Sequence, residues 1–256
     1  MDPAVRRYLA DLVTTAREVL GPELVGVYAA GSVALDAYQP GRSDVDVALV
    51  CRDPLPRRTR HELVARLRHE ALPCPARGLE LVAYSRAVAG SGTAEPGFEV
   101  ELNTGARMPS RVTLTPAERP AADGHFWYGL DRSILYQRGH PLVGPPAGEI
   151  FADLAPGELR ELLVAALRWW LARPAPPGNG PAPGTEEAVL GACRALVRVH
   201  DGDWLSKVAA GRRVIALGRD PELVRRCVHA RSGGPAPTAT EARAFQQQVL
   251  DEIVAG

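Results

Sequence analysis

Two short stretches carry residues whose types and spacing suit phosphate chemistry, Gly31-Ser32 and Ser43-Asp44-Val45-Asp46. Alternate residues of a strand share a face, so an Asp-x-Asp pair on a strand projects both carboxylates to one side. Such a pair repels unless a cation lies between the acids. Hard oxygen ligands of this kind suit Mg²⁺, whose shell is normally completed by phosphates and water. A Gly-Ser turn leading into a helix adds free N–H groups and the positive end of the helix dipole, both favourable to a phosphate. Glycine permits close backbone approach, and Ser32 and Ser43 can donate hydroxyls to the same phosphates. Two solvated acids on an exposed edge would give the same Asp-Val-Asp. The ordered set is more specific: apolar strand, Gly-Ser, eleven intervening residues, Asp-x-Asp, apolar strand.

The elements that must position these residues follow from local patterning. Val5, Leu9, Leu12, Val13, Ala16 and Leu20 recur at helical spacing before Gly21-Pro22 ends that helix. Leu24 to Ala30 is a short apolar strand, and Ser32 is placed to cap a helix running to Tyr38. Asp44 to Cys51 forms the second strand, Arg57 to Leu72 a helix, Leu79 to Val88 a third strand, and Val100 to Asn103 a fourth. Helical periodicity resumes over Phe126 to Gln137, and 138–148 is a Gly/Pro-rich connection. The second half reads as helices alone. Leu159, Leu162, Leu163, Ala166, Leu167 and Trp170 form one stripe, Thr185 caps a helix to His200, and further helices cover 204–217, 220–230 and 239–254. Residues 174–184 form a long Pro/Gly loop of the kind that is often functional. The expected fold class is α+β: a small mixed sheet with flanking helices over 1–150, then an α-helical bundle over 151–256.

The 256 residues balance 30 basic against 30 acidic side chains, which argues against a polynucleotide partner. Lys207 is the sole lysine. Cys51, Cys74, Cys193 and Cys227 are widely spaced, without metal-ligand spacing, and read as free buried thiols of a reducing compartment. No run has the length and apolarity of a membrane span or a signal core. The expectation is a cytoplasmic monomer.

Gly31-Ser32 with Asp44-Val45-Asp46-Val47 resembles the signature of the polymerase-beta-like nucleotidyltransferase superfamily. Leu79-Glu80-Leu81-Val82, the Arg138 to Pro145 passage, Cys193-Arg194 and Asp201 to Ala210 resemble, in order, segments of the streptomycin/spectinomycin adenylyltransferases. The resemblance implies transfer of AMP from ATP to a hydroxyl of an aminoglycoside-type antibiotic, with release of pyrophosphate. It implies that Asp44, Asp46 and Glu80 hold one or two Mg²⁺ ions and that Glu80 is the general base. It further implies that Gly31, Ser32, Ser43, Arg194 and Lys207 bind the nucleotide, Arg194 and Lys207 as countercharges to the triphosphate.

Those relatives carry a tryptophan where Arg107 stands and acids in the loop that here spans 174–184. The alternative acceptor is therefore another small-molecule or protein hydroxyl. For a cationic sugar, Glu101 and Glu187 are available acids, each equally readable as a solvated surface charge. Trp169 lies off the apolar stripe and is the acceptor-facing tryptophan, whereas Trp170 is expected in the core.

Overall fold

The computed structural model describes residues 1–174 and 180–256, so 175–179 of the Pro/Gly loop lie outside the described residues. The chain divides into two compact units, Met1–Ala155 and Pro156–Gly256.

The first unit is built on a six-stranded mixed sheet. In chain order it contains α1 (Pro3–Leu20), β1 (Leu24–Ala29), the single turn α2 (Gly31–Ala34), β2 (Val45–Cys51), α3 (Arg57–Leu67), β3 (Leu79–Ser85), α4 (Arg86–Ala89), β4 (Val100–Gly105), β5 (Met108–Thr113), α5 (Phe126–Arg138) and β6 (His140–Val143). The strand order is β5-β4-β3-β2-β1-β6, with β2 and β3 parallel and every other pair antiparallel. Asp2 starts α1 by accepting the Ala4 and Val5 amides at 2.8 and 3.1 Å. Every apolar position expected on α1 is buried, because that spacing gives one continuous apolar stripe.

The two sheet faces are distinct. Val45, Val47, Leu49, Leu79, Leu81, Val100 and Leu102 pack with the apolar stripes of α1 and α3. Ala48, Val50, Val82 and Tyr84 pack with Tyr128 and Leu135 of α5 on the other face. Asp46 and Glu80 share the parity of this second set, at the starting ends of β2 and β3.

Four local expectations change. Strands β5 and β6 were not apparent from sequence because each contains a proline, Pro109 and Pro141, and β5 is polar. Both occupy sheet edges, where a missing N–H is tolerated. Helix α3 stops at Leu67 because Arg68 turns extended and the His69 amide is taken by Thr104 Oγ1 at 2.9 Å. Ser32 does not cap α2: Ala30 is the N-cap and Ser32 lies inside a single turn. Ser85 ends β3 and caps α4 through the Val88 amide.

The second unit is helical, with α6 (Pro156–Ala172), α7 (Thr185–Asp201), α8 (Lys207–Ala216), α9 (Pro221–Ala230) and α10 (Ala239–Ala255). The central helix α7 packs against α8, α9 and α10, and α10 also packs on α6. Thr185 is not the cap of α7; it is its first residue, and its hydroxyl faces the carbonyls of Ala182 and Pro237. Trp170 is not core. It is half-buried like Trp169, and the two rings meet edge to face at 5.2 Å. Helix α10 opens with a reciprocal capping box between Thr238 and Glu241.

All four cysteines are free and buried. Burial pushes the Cys51 and Cys227 thiols up to about 12. No helix among the described residues is long and apolar enough to cross a membrane.

Candidate active site

Strand pairing aligns the chemistry. Asp46 of β2 is the direct partner of Glu80 on β3, Glu80 of Asn103 on β4, and Asn103 of Arg111 on β5. Directly paired residues point to the same face, so Asp46, Glu80, Asn103 and Arg111 form one polar row on the α5 side. Beside Asp46, the Ala30 amide donates to the Asp46 carbonyl at 2.9 Å, which fixes the Gly31 turn against the row. Gly31 has φ of +51°, and a Cβ there would lie 1.9 Å from Asp46 Oδ2. The turn therefore requires glycine both for its backbone and for the carboxylate beside it.

The row concentrates negative charge. The Glu80 carboxyl is pushed up to about 7, first by burial, then by the charges of Asp44, Asp131 and Glu101, with Arg77 opposing. A carboxyl in that state can take up a proton near neutral pH. Asp44 precedes β2 and is answered by Arg77, whose Nη2 is 2.6 Å from Asp44 Oδ2. Among the described residues no three His, Cys, Asp or Glu side chains converge as a ready-made metal cluster. The acids nevertheless fit a divalent cation in kind. Asp46 and Glu80 are hard oxygen donors on one face, and Glu80 is raised by burial and then by the neighbouring acids, beside a turn in which only glycine leaves room.

The phosphate side differs in detail from expectation. One turn of helix carries little macrodipole, so α2 lends less attraction to an anion than a longer helix would. What remains is the close approach at Gly31 and the Ser32 hydroxyl, whose oxygen is buried without a hydrogen-bond partner among the described residues. Ser43 is buried, and its Oγ accepts the Gln39 amide at 3.0 Å, which closes the turn before Asp44. Its hydroxyl proton is not used in that bond.

In the second unit, Arg194 lies over the Trp204 ring at 5.4 Å. Lys207 opens α8 behind the Ser206 cap and pairs with Glu187 at 2.9 Å. A cation in the first turn of a helix opposes the dipole, so this placement is not explained by helix stability. Glu187 also pairs with Arg231 and is not a solvated helix-start charge. Trp169 is stacked by Arg173 at 4.6 Å.

Glu101 is corrected outright as a surface acid. It is 4 % exposed, accepts from Thr113 Oγ1 at 3.0 Å and pairs with Arg119, so its charge is already neutralised inside the first unit.

Arg77, Asn103, Arg111 and Asp131 were not identified from sequence. Their signal is cross-strand register and tertiary placement, which a lone sequence does not display. Arg77, Arg107 and Arg111 also line a cavity of about 300 Å³ that includes Glu80, Asn103 and Ser110.

No family model matches this chain, and no curated protein matches it. Among solved structures, it is similar to spectinomycin adenyltransferase AAD(9) from Enterococcus faecialis, crystallised with ATP and spectinomycin. The TM-score is 0.67 at 14% identity, covering 97% of this chain and 98% of that one. The two share a nucleotidyltransferase-like fold over nearly their full lengths.

Proposed function

We propose that this chain is a nucleotidyltransferase that moves AMP from ATP to a hydroxyl of a small molecule, releasing pyrophosphate. The observation that carries this reading is the register of Asp46 with Glu80 on parallel strands, beside the Gly31 turn. Asp44 and Asp46, with Glu80, would hold Mg²⁺. When bound, the metal supplies charge stabilisation for the attacking and leaving oxygens of an in-line displacement. Gly31 and Ser32 receive the phosphates, with Ser43 shaping the turn before Asp44 and offering its proton. Arg194 and Lys207 are the proposed countercharges to the triphosphate.

Glu80 is the general base. It stands between Asp46 and Asn103 in the polar row, where its carboxylate can accept a proton from the acceptor hydroxyl. In the step, the acceptor O–H bond breaks and its proton passes to the Glu80 carboxylate. The acceptor oxygen then bonds the α-phosphorus, and the bond from that phosphorus to the bridging oxygen of pyrophosphate breaks.

An aminoglycoside or aminocyclitol acceptor, with antibiotic resistance as the consequence, is the reading favoured by the full-length likeness to a spectinomycin enzyme. Trp169 and Glu187 are the residues of the second unit proposed for it.

The test is pyrophosphate release with ATP, Mg²⁺ and a panel of hydroxyl compounds that includes spectinomycin and streptomycin, with calorimetry of Mg·ATP binding. Asp46→Asn is expected to abolish turnover, and Glu80→Gln to remove turnover while weakening Mg·ATP binding less than Asp46→Asn does. Undiminished turnover in both variants refutes the site.

A further inference from the structure

We infer that Asn103 is a specificity-determining residue for the acceptor, bonding a hydroxyl or amine on the carbon next to the one whose hydroxyl is adenylylated. The acceptor is then a ring compound with adjacent polar substituents, and not one with an isolated hydroxyl. This rests on the nucleotidyl-transfer reading and assigns a residue within it.

Strand preference does not account for Asn103. Asparagine is depleted in strands, yet Asn103 stands inside β4, which is paired on both sides, by β3 and by β5. The other polar side chains of β4 are engaged. Glu101 is held by Thr113 and Arg119, and Thr104 Oγ1 accepts the His69 amide at 2.9 Å. Among the described residues the Asn103 carboxamide has no hydrogen-bond partner, and it is half-buried, so its polar atoms stay reachable.

Its place fits an acceptor contact. Asn103 is the direct cross-strand partner of Glu80, and the two line the same cavity. Direct partners have Cβ atoms about 4.5–5.5 Å apart, and each side chain reaches a further 2.7–3.0 Å or so through a hydrogen bond. A carboxylate and a carboxamide at that separation can bond two substituents on neighbouring ring carbons at once. Asp46 and the Gly31 turn lie on the opposite side of Glu80. With phosphate received there, Asn103 is on the side left for the acceptor.

The chemistry selects the class. A carboxamide has a carbonyl that accepts and two N–H groups that donate. It therefore suits a neighbouring hydroxyl or amine and adds no charge against an ammonium-bearing aminocyclitol. A lone hydroxyl, such as a serine side chain, would satisfy Glu80 and leave the carboxamide unpaired once water is displaced. A site built to bond a polar group discriminates against compounds that lack it.

The experiment titrates streptomycin and spectinomycin into the full chain with Mg²⁺ and α,β-methylene-ATP, which fills the nucleotide site without transfer. Both compounds, and N-acetylserinamide as an isolated hydroxyl, are then assayed for pyrophosphate release with ATP. Asn103→Val and Asn103→Thr are compared because both residues suit a strand and nearly match in shape, but only threonine keeps a hydrogen-bonding group. Asn103→Val should lower acceptor affinity and acceptor kcat/KM about tenfold, and Asn103→Thr should recover part of that loss. Mg·ATP affinity and the unfolding midpoint should be unchanged in both. For the compound that is turned over, the deoxy derivative lacking the group beside the modified hydroxyl should lose a similar factor in the parent and nothing further in Asn103→Val.

Acceptor kinetics of Asn103→Val equal to the parent, an equal loss in Mg·ATP affinity, a deoxy penalty as large in the variant as in the parent, or turnover of N-acetylserinamide at a comparable rate overturns the inference. So does the absence of binding of either antibiotic to the parent. Acceptor binding lost in Asn103→Val, with no pyrophosphate from any compound in the parent, keeps the Asn103 contact and overturns the transferase reading instead.

Discussion

Replacing Gly31 by alanine tests the central geometry with the smallest possible change. The new Cβ would stand 1.9 Å from Asp46 Oδ2 and 2.6 Å from its Cγ, whereas nonbonded heavy atoms pack at about 3.5 Å. The carboxylate must therefore withdraw by roughly 1.5 Å, and a misplacement of about 1 Å at a reacting centre can cost about 10²-fold in rate. The positive φ adds a backbone penalty of about 1–2 kcal/mol, which for a chain of this size lowers Tm by roughly 2–8 °C. Gly21→Ala is the control. Its φ is +52° but nothing lies within 4 Å of its Cβ, so it carries the backbone penalty without touching a carboxylate. Mg·ATP affinity by calorimetry, turnover by pyrophosphate release and Tm by scanning calorimetry are measured on both. The expected pattern is a fall in Tm in both variants, with turnover lost about 10²-fold in Gly31→Ala and kept in Gly21→Ala. Turnover of Gly31→Ala within threefold of the parent, or an equal loss in Gly21→Ala, refutes the claim that the turn holds Asp46 in place.

Other expectations concern stability. Breaking the buried Glu101–Arg119 pair by Glu101→Gln should destabilise the first unit by about 3–5 kcal/mol in denaturant unfolding; a small change would return Glu101 to the surface-acid reading. Arg132 is 2 % exposed and donates to the carbonyls of Pro96, Thr93 and Glu95 at 2.8, 2.7 and 2.6 Å. Arg132→Met should therefore strip hydrogen-exchange protection from residues 93–97 and cost about 2–4 kcal/mol. The Arg226 guanidinium, with the Thr238 cap, lowers the Glu241 carboxyl from 4.5 to about 2. A depressed folded pKa means its stabilisation is complete above about 4.5 and is lost as pH falls toward about 2. The pair is exposed, so the effect is about 0.5 kcal/mol. Glu241→Gln, which retains the capping-box bond, should flatten that part of the stability profile, and an unchanged acid limb counts against the pair.

The central strands were legible because burial on both faces makes β1, β2 and β3 continuous apolar runs bounded by turn residues. The helices of the second unit were legible from their stripes. The edge strands were not, since a polar, proline-bearing segment such as Met108–Thr113 is a strand only because β4 lies beside it. The same division runs through the site. Asp44 and Asp46 stood out as candidates from spacing alone, but Asn103 and Arg111 join the row through register, which no local pattern encodes. Asp131 reaches Glu80 only because α5 packs on that face. Glu101 was misread because nothing near it in the chain announces Arg119 as its partner. Trp170 was misread because an apolar stripe predicts which side of a helix is covered, not how far along it the cover extends.

Pro109 and Pro141, which hid the two outer strands from the sequence reading, have a consequence for how the molecule behaves in a crowded solution. Each removes a donor from the outermost strand on its side of the sheet. An unprotected edge is a template on which a stray extended segment can add as a further strand and seed aggregation. Arg111 places a charge on the same outer strand as Pro109. A proline in each edge strand leaves one donor fewer for such an addition, and substituting both with valine should raise the tendency of the chain to aggregate.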